Sequence, residues 1–261
     1  MQIVVCIKQV PDTTKVKINP ETNTLMREGV ESIINPFDLY AIEEAVRLKE
    51  AHGGVVKVVT MGPPQAGSAL REAIALGADE AVLVSDRAFA GADTWVTAYT
   101  LAAAIRTLGQ VDLILCGKQA IDGDTAQVGP SLADQLNIPF VAFVRKVREV
   151  ADGSMVVERM FEEGYEVVRL PIPGLMTVVK EINEPRLPSL KGKMRAKKAE
   201  IFTIDRSALD VEDAFLGLDG SPTRVVKIFS PELKKAGEKW EEDPGEMAAK
   251  LVANLRDQKI I

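Results

Sequence analysis

Four short, predominantly apolar runs, separated by stretches of helical spacing, most constrain what this chain can fold into. They are Ile3-Val4-Val5-Cys6-Ile7, residues 55–61, Ala81-Val82-Leu83-Val84, and the segment ending in Leu113-Ile114-Leu115. A strand that is apolar on both faces must be covered on both, and parallel strands need a crossover connection of helical length. The intervening segments supply it. Asn35-Pro36 opens a helix with Leu39, Ile42, Ala45, Val46 and Leu48 at helical spacing. Gly62-Pro63-Pro64 ends the second run before a helix over about 65–76, and a helix over about 94–108 precedes the fourth run. This βαβα rhythm predicts a parallel sheet with helices on both faces.

Early in the chain, Val16-Lys17-Ile18 and Thr24-Leu25-Met26 flank Asn19-Pro20 and predict a hairpin. From Phe140 the pattern changes. Residues 141–150, 154–161, 165–170 and 175–180 read as consecutive strands, with Asp152-Gly153 and Glu163-Gly164 as tight turns that favour antiparallel pairing. The fold expected is α/β: a mostly parallel doubly wound sheet with antiparallel strands added after about residue 140. That domain is assigned residues 1–183. Residues 184–261 are expected to form an extended C-terminal arm, since about 75 residues with so little regular pattern suit packing on another polypeptide. The arm holds Pro185, Pro188, the basic run Lys191, Lys193, Arg195, Lys197, Lys198, and a last helix over about 245–258 with Met247, Leu251, Val252 and Leu255 on one stripe.

Composition removes several function classes. A net charge of −6 disfavours nucleic acid as a general partner. No apolar stretch reaches the roughly 20 residues that span a bilayer, so no membrane insertion is expected. No secretory leader is read at the start, so Cys6 and Cys116 are expected to be free thiols in the cytoplasm. There is no Cys/His metal set, and His52 reads as the end of a helix before Gly53-Gly54.

The stretch from Cys116 to Pro130 carries the candidate chemistry. It follows the fourth strand and leads into Ser131-Leu132-Ala133-Asp134-Gln135-Leu136, which reads as a helix. A glycine-punctuated turn at a helix N-terminus offers unpaired amides and a positive dipole end, a seat for phosphate. Gly117, Gly123 and Gly129 permit close backbone approach, and Thr125 and Gln127 add hydrogen-bonding side chains. In open α/β sheets ligands sit beyond the carboxyl ends of the strands. Four places converge there: residues 6–9, Asn35 to Asp38, Met61-Gly62 and the 117–130 loop. Asn35 and Asp38 read equally well as a helix N-cap and first-turn acid. Asp122 and Asp124 would repel phosphate if turned inward and are expected to cap amides or meet ribose hydroxyls. No acid–base pair or nucleophile stands out, so no catalytic residue is assigned.

These residues resemble the β subunit of electron-transfer flavoproteins. The strongest match is VERMFEEGYEVVRLPIPGLMT at 157–177; VCIKQVPDT, NPFDLYAIEEAVRLKE, MGPPQA, GKQAIDGDTAQVGP and KGKMRAKKAEI follow the family's order along almost the whole chain. The resemblance implies a heterodimer with an α subunit, electron transfer through FAD, and an arm wrapped on that partner. It places the adenine-nucleotide site at Cys6, at Asn35, Pro36, Phe37 and Asp38, at Met61, and along Gly117, Lys118, Gln119, Ala120, Ile121, Asp122, Gly123, Asp124, Thr125, Ala126, Gln127 and Val128. In one family branch this site holds structural AMP. In the other it holds a second FAD that takes a hydride from NADH and bifurcates electrons between a low-potential carrier, ferredoxin or flavodoxin, and an acyl-CoA dehydrogenase reached through the α-subunit FAD. The AMP-type loop ends in Asn-Gln-Thr-Gly. Here Ala126-Gln127-Val128-Gly129 resembles the bifurcating branch, as does Asn-Pro-Phe-Asp-Leu-Tyr, and the smaller Ala126 and apolar Val128 leave room for a longer ligand. The segment 187–198 resembles the family's dehydrogenase recognition loop, with Leu190 at the anchoring leucine.

Overall fold

The computed structural model describes residues 1–12, 17–18, 25–26, 32–151, 153–226, 237 and 239–261. Strand β1 (Gln2–Cys6) leads to β2 (Gln9–Pro11); the two-residue strands β3 (Lys17–Ile18) and β4 (Leu25–Met26) pair antiparallel, and β5 (Ser32–Ile34) pairs back on β2. The pair β3 and β4 matches the expected hairpin, whose Val16, Thr24, Asn19 and Pro20 lie outside the described residues. Then come α1 (Pro36–His52), β6 (Val55–Met61), α2 (Gly67–Leu76), β7 (Glu80–Val84), α3 (Thr94–Thr107), β8 (Leu113–Gly117) and α4 (Val128–Leu136). Helix α4 thus begins three residues before the stretch expected from pattern, so the end of the glycine-rich loop is itself helical.

Strands β9 (Phe140–Ala151), β10 (Ser154–Phe161) and β11 (Gly164–Pro171) form the expected antiparallel run. Strand β12 (Gly174–Val178) departs from it. It inserts between β8 and β9 and runs parallel to both. Its sequence explains why: all five residues are buried, which fits an interior position and no edge. Beyond it, α5 (Leu190–Lys198) and β13 (Phe202–Ile204) give the basic segment regular structure that its composition did not suggest. The nine-stranded sheet has the order β11-β10-β9-β12-β8-β1-β6-β7-β13.

Alternation along the strands divides two apolar layers. Ile3 and Val5 of β1 and Leu113 and Leu115 of β8 face α1 and α2, with Ile42, Val46, Leu70 and Ile74. Val4, Cys6, Ile114 and Cys116 face the opposite way, toward α3 and α4, with Leu101, Ile105 and Leu132. The chain moves from β1 outward through β6 and β7, then returns through α3 to place β8 on the other flank of β1. The topological switch point is therefore the crevice between β1 and β8.

Residues 184–226, expected as part of an arm, lie within a compact unit that runs from Met1 to Val226; residues 227–261 form a second unit. In the first unit, Arg186 anchors the stretch after β12. Its guanidinium donates to Glu43 (2.7 Å) and Glu50 (2.7 Å) on α1, and Arg47 also donates to Glu43 (2.6 Å). Burial raises the Glu43 carboxyl, but these hydrogen bonds outweigh it and hold its pKa below the usual value. Arg195 of α5 donates to Ile74 O (2.8 Å) and Ala78 O (2.7 Å), closing the C-terminal end of α2. In the second unit, α6 (Pro244–Asp257) is capped by Asp243 and leaves Leu251 and Val252 exposed.

Arg186→Ala is expected to lower stability by about 2 kcal/mol, less than the roughly 3–5 kcal/mol for a fully buried pair because the guanidinium is partly solvated. It should also speed tryptic cleavage at Lys191 and Lys193 in the released segment. Cleavage at the rate of the unaltered protein would show that the ion cluster does not hold this segment.

Candidate functional site

The carboxyl ends of β8, β1 and β6 are neighbours in the sheet, and the expected residues collect there. Cys6 ends β1, directly opposite Cys116 of β8; Met61 ends β6; Gly117 ends β8. Parallel pairing between β1 and β8 stops at Cys6, where the two backbones diverge. The Asp38 carboxylate spans the gap. The Lys8 amide donates to its Oδ2 (2.7 Å) and the Gly117 amide to its Oδ1 (3.2 Å). The fit leaves no space at Gly117, where a Cβ would stand 2.4 Å from Asp38 Oδ1 and 2.7 Å from Phe37 C.

Asn35 occupies the N-cap position of α1, yet its side chain makes no cap bond. It reaches across instead. Its Nδ2 donates to Gln119 O (2.8 Å), and its Oδ1 accepts from the Ile121 amide (3.0 Å), two main-chain bonds that fix the start of the loop. The simple cap-and-acid reading of Asn35 and Asp38 therefore gives way to a structural clamp between α1 and the 117–121 backbone. Pro36 and Phe37 are half-buried beside it.

The rest of the loop is pinned by side chains. Lys8 Nζ holds both oxygens of Asp122 (2.6 and 2.8 Å), and Gln119 Nε2 donates to Asp124, whose own amide donates to Ala120 O (2.8 Å). Of the two roles expected for the loop carboxylates, capping amides or meeting ribose hydroxyls, the first is not seen: both pair with side chains. Cation and amide partners nearby supply enough attraction to hold them as side-chain pairs. Asp124 and Ala126 take left-handed backbone conformations (φ 55° and 53°), while Gly123, Thr125 and Lys118 do not. Gln127 is tied outward: its Oε1 accepts from Thr94 Oγ1, at the first turn of α3 (3.0 Å). Lys8 and Thr94 thus shape the site although pattern assigned them no individual role. Lys8 was visible as the one cation in the strand-end stretch, whereas nothing local marked Thr94.

Helix α4 starts at Val128 with no side-chain cap, and the amides of Val128 and Gly129 find no acceptor among the described residues. Gly129 lies so close to β12 that a Cβ would approach Thr177 Cγ2 to 2.5 Å. Uncapped first-turn amides at the positive end of a helix, with the nearby acids already paired, make an anion seat. This donor set fits the phosphate of a nucleotide. Leu190 lies elsewhere, at the first position of α5, 77% exposed, with Leu187 (89%) and Met194 (58%) beside it. Among the described residues its side chain is left largely uncovered.

Residues 22–209 match the family described as the electron transfer flavoprotein domain. The chain is also 52% identical over its whole length, and over the whole of the relative, to the electron transfer flavoprotein subunit beta of Thermoanaerobacterium thermosaccharolyticum. It belongs to the electron transfer flavoprotein β-subunit family. The corresponding protein of Clostridium acetobutylicum is 50% identical, and subunit CarD of the caffeyl-CoA reductase–Etf complex of Acetobacterium woodii 48%, both end to end. Membership in the electron transfer flavoprotein family implies a flavin nucleotide and an α-subunit partner. No helix among the described residues is long and apolar enough to cross a membrane, and no group of three or more His, Cys, Asp or Glu among them is placed to hold a metal ion.

The clamp has a pH signature. Burial pushes the Asp38 carboxyl up to about 7, against the pull of the Lys8 and Gly117 amides, Asn35 and the Lys8 charge. A carboxyl raised in the folded state stabilises the fold fully below its unfolded pKa, near 4, and loses that contribution as pH rises through 7. Relative to Asp38→Asn, the protein should therefore lose about 2 kcal/mol of stability between pH 5 and pH 7. Paired denaturant titrations would measure this; a difference between the two proteins that does not change with pH would refute the assignment.

Proposed function

We propose that this chain is the β subunit of an NADH-dependent, electron-bifurcating flavoprotein, cytoplasmic, with FAD in the β1–β8 crevice. The observation that carries the nucleotide reading is the uncapped N-terminus of α4 at the switch point, flanked by a loop whose acids are already neutralised. Ala126 and Val128 in place of bulkier polar groups support FAD over AMP, and so does the likeness to a subunit named for a reductase–Etf complex. The chemistry FAD supplies when bound is acceptance of a hydride from NADH and its release as single electrons to two acceptors.

The residues of the chain have narrower tasks. The Val128 and Gly129 amides would hold the pyrophosphate, assisted by Thr125, which is exposed at the loop tip. Asp38 and Asn35 position the backbone, each of their side-chain oxygens accepting from a main-chain amide. Cys6 and Met61 offer backbone and apolar contact; both cysteines are buried, and the Cys116 thiol is held well above its usual pKa by its hydrogen bond with Cys6 and by burial, which leaves it unreactive. The low-potential acceptor would be ferredoxin or flavodoxin, and the other an acyl-CoA dehydrogenase reached by way of the α-subunit FAD. For the dehydrogenase, Leu190 is the docking anchor: an exposed apolar side chain beside Lys191, Lys193 and Lys197 suits a transient, charge-steered encounter. The α subunit is assigned the exposed apolar stripe of α6.

Nucleotide extraction from the protein co-expressed with its α subunit tests the reading directly. Two FAD and no AMP per heterodimer is the expected result, and one FAD with one AMP would overturn the bifurcating assignment. Gly123→Val probes the loop cleanly, because a Cβ at Gly123 meets no atom within 4 Å and its φ is ordinary. The variant should fold normally and lose nucleotide affinity by about tenfold or more, the cost of displacing a phosphate from its donors. Leu190→Ala should slow electron transfer to a dehydrogenase with flavin content unchanged; a loss of flavin instead would assign Leu190 a structural role.

A further inference from the structure

On the β9 flank of the anion seat the backbone does something costly. Phe143 has φ 63°, a left-handed conformation that bulky side chains avoid. It sits at a bulge: β12 pairs Met176 with Val141 and then Val178 with Val144, so Ala142 and Phe143 together oppose Thr177. Bulges re-aim a side chain, and strained residues persist where the surroundings fix them. Here Thr177 does the fixing. Its buried Oγ1 accepts from the Phe143 amide (3.0 Å), while its Cγ2 faces Gly129 in the first turn of α4. The re-aimed ring is half-buried, and Lys118 Nζ stands 5.6 Å from its centroid. Lys118 itself follows Gly117 directly and donates its amide to Val178 O (2.9 Å). An aromatic ring with an ammonium beside it therefore lies next to the phosphate seat, on the side away from Cys6 and Met61.

We propose that Phe143, with Lys118 over its ring, is the seat for a second flat ring carried beyond the pyrophosphate, so that this pair selects a dinucleotide over a mononucleotide. The inference rests on the reading of the crevice as a nucleotide site and names what sets its ligand length. Core packing does not require a left-handed phenylalanine, since the neighbouring Val144 and Val141 already fill the layer beneath α1. A flat, partly exposed aromatic face suits stacking by a planar ring, and a fixed cation suits the electron-rich carbonyls of such a ring. On this reading the mononucleotide portion would end at the α4 amides, on the Cys6 and Met61 side of the seat.

The test titrates ADP and FAD into the heterodimer freed of exchangeable nucleotide, with Phe143→Ala, Phe143→Gly and Phe143→Tyr. Phe143→Gly removes the ring and relieves the left-handed strain, so it keeps the experiment interpretable should the alanine variant fold poorly. ADP should bind all four proteins alike. FAD affinity should fall about 3- to 10-fold in the alanine and glycine variants, the worth of one aromatic stacking contact, and hold in the tyrosine variant. An equal loss of ADP and FAD, or no loss of either, would overturn the selection role. Failure of the unaltered protein to bind ADP would overturn the nucleotide reading itself, and this inference with it.

Discussion

One buried carboxylate holds the working edge of this protein together. Where β1 and β8 part, each leaves a main-chain amide without a strand partner, at Lys8 and at Gly117. An unpaired buried amide costs about 1–3 kcal/mol, and two facing amides would disrupt the end of the sheet. Asp38, delivered by the first turn of α1, satisfies both at once. That arrangement requires glycine at 117, because a side chain would occupy the carboxylate's place. It also fixes the rotation and height of α1, which in turn brings Asn35 to the backbone of Gln119 and Ile121. The loop that enters α4 is thus positioned from beneath, before any ligand is considered.

The electrostatics of the site follow from this framework. The chain carries a net charge of −6, and the loop itself contains two aspartates, an unpromising surrounding for phosphate. The acids are disposed of locally. Lys8, whose amide Asp38 anchors, turns its ammonium to Asp122, and Gln119, whose carbonyl Asn35 holds, takes Asp124. What remains unpaired is the first turn of α4, where partial positive charge is concentrated within a single turn. Anion binding at such a place depends on fixed dipoles a few ångströms away and is insensitive to the total charge of the protein.

How much of this was legible in the sequence depends on whether a residue's partner is near in the chain. The strands β1, β6, β7 and β8 were legible because burial on both faces leaves a predominantly apolar run, interrupted in β6 only by Lys57 and Thr60, and α1 to α3 because their neighbours impose a helical period. The convergence of Cys6, Asn35, Met61 and Gly117 followed from topology alone. The function of Asp38 did not: Asn-Pro-Phe-Asp is locally indistinguishable from a capped helix start, and only the meeting of residue 38 with residue 117 decides otherwise. Strand β12 was seen but misplaced, since the tight turns that pair β9, β10 and β11 say nothing about where the chain goes after Pro173. Helix α5 was hidden by its charge. Its apolar contribution to the fold is little more than Ala196, and it is held by Arg195 and Arg71 bonding to carbonyls, which pattern does not register.

These particulars make α1 the common support of two surfaces. Its first turn carries Asp38 at the crevice, and one to three turns further along Glu43 and Glu50 hold Arg186 at the root of the segment that presents Leu190. A helix of 17 residues buried along one side does not transmit a local rearrangement from one end to the other; it moves as a body or not at all. Occupancy of the crevice and engagement of the leucine surface are then coupled only as far as each biases the position of the whole helix against the sheet. The sheet opposes such movement, because α1 packs on Ile3, Val5, Leu113 and Leu115 of the paired strands β1 and β8. Within this unit, Asp38 at the crevice and the Arg186 anchor before the Leu190 segment therefore share one support, a helix seated on the two central strands.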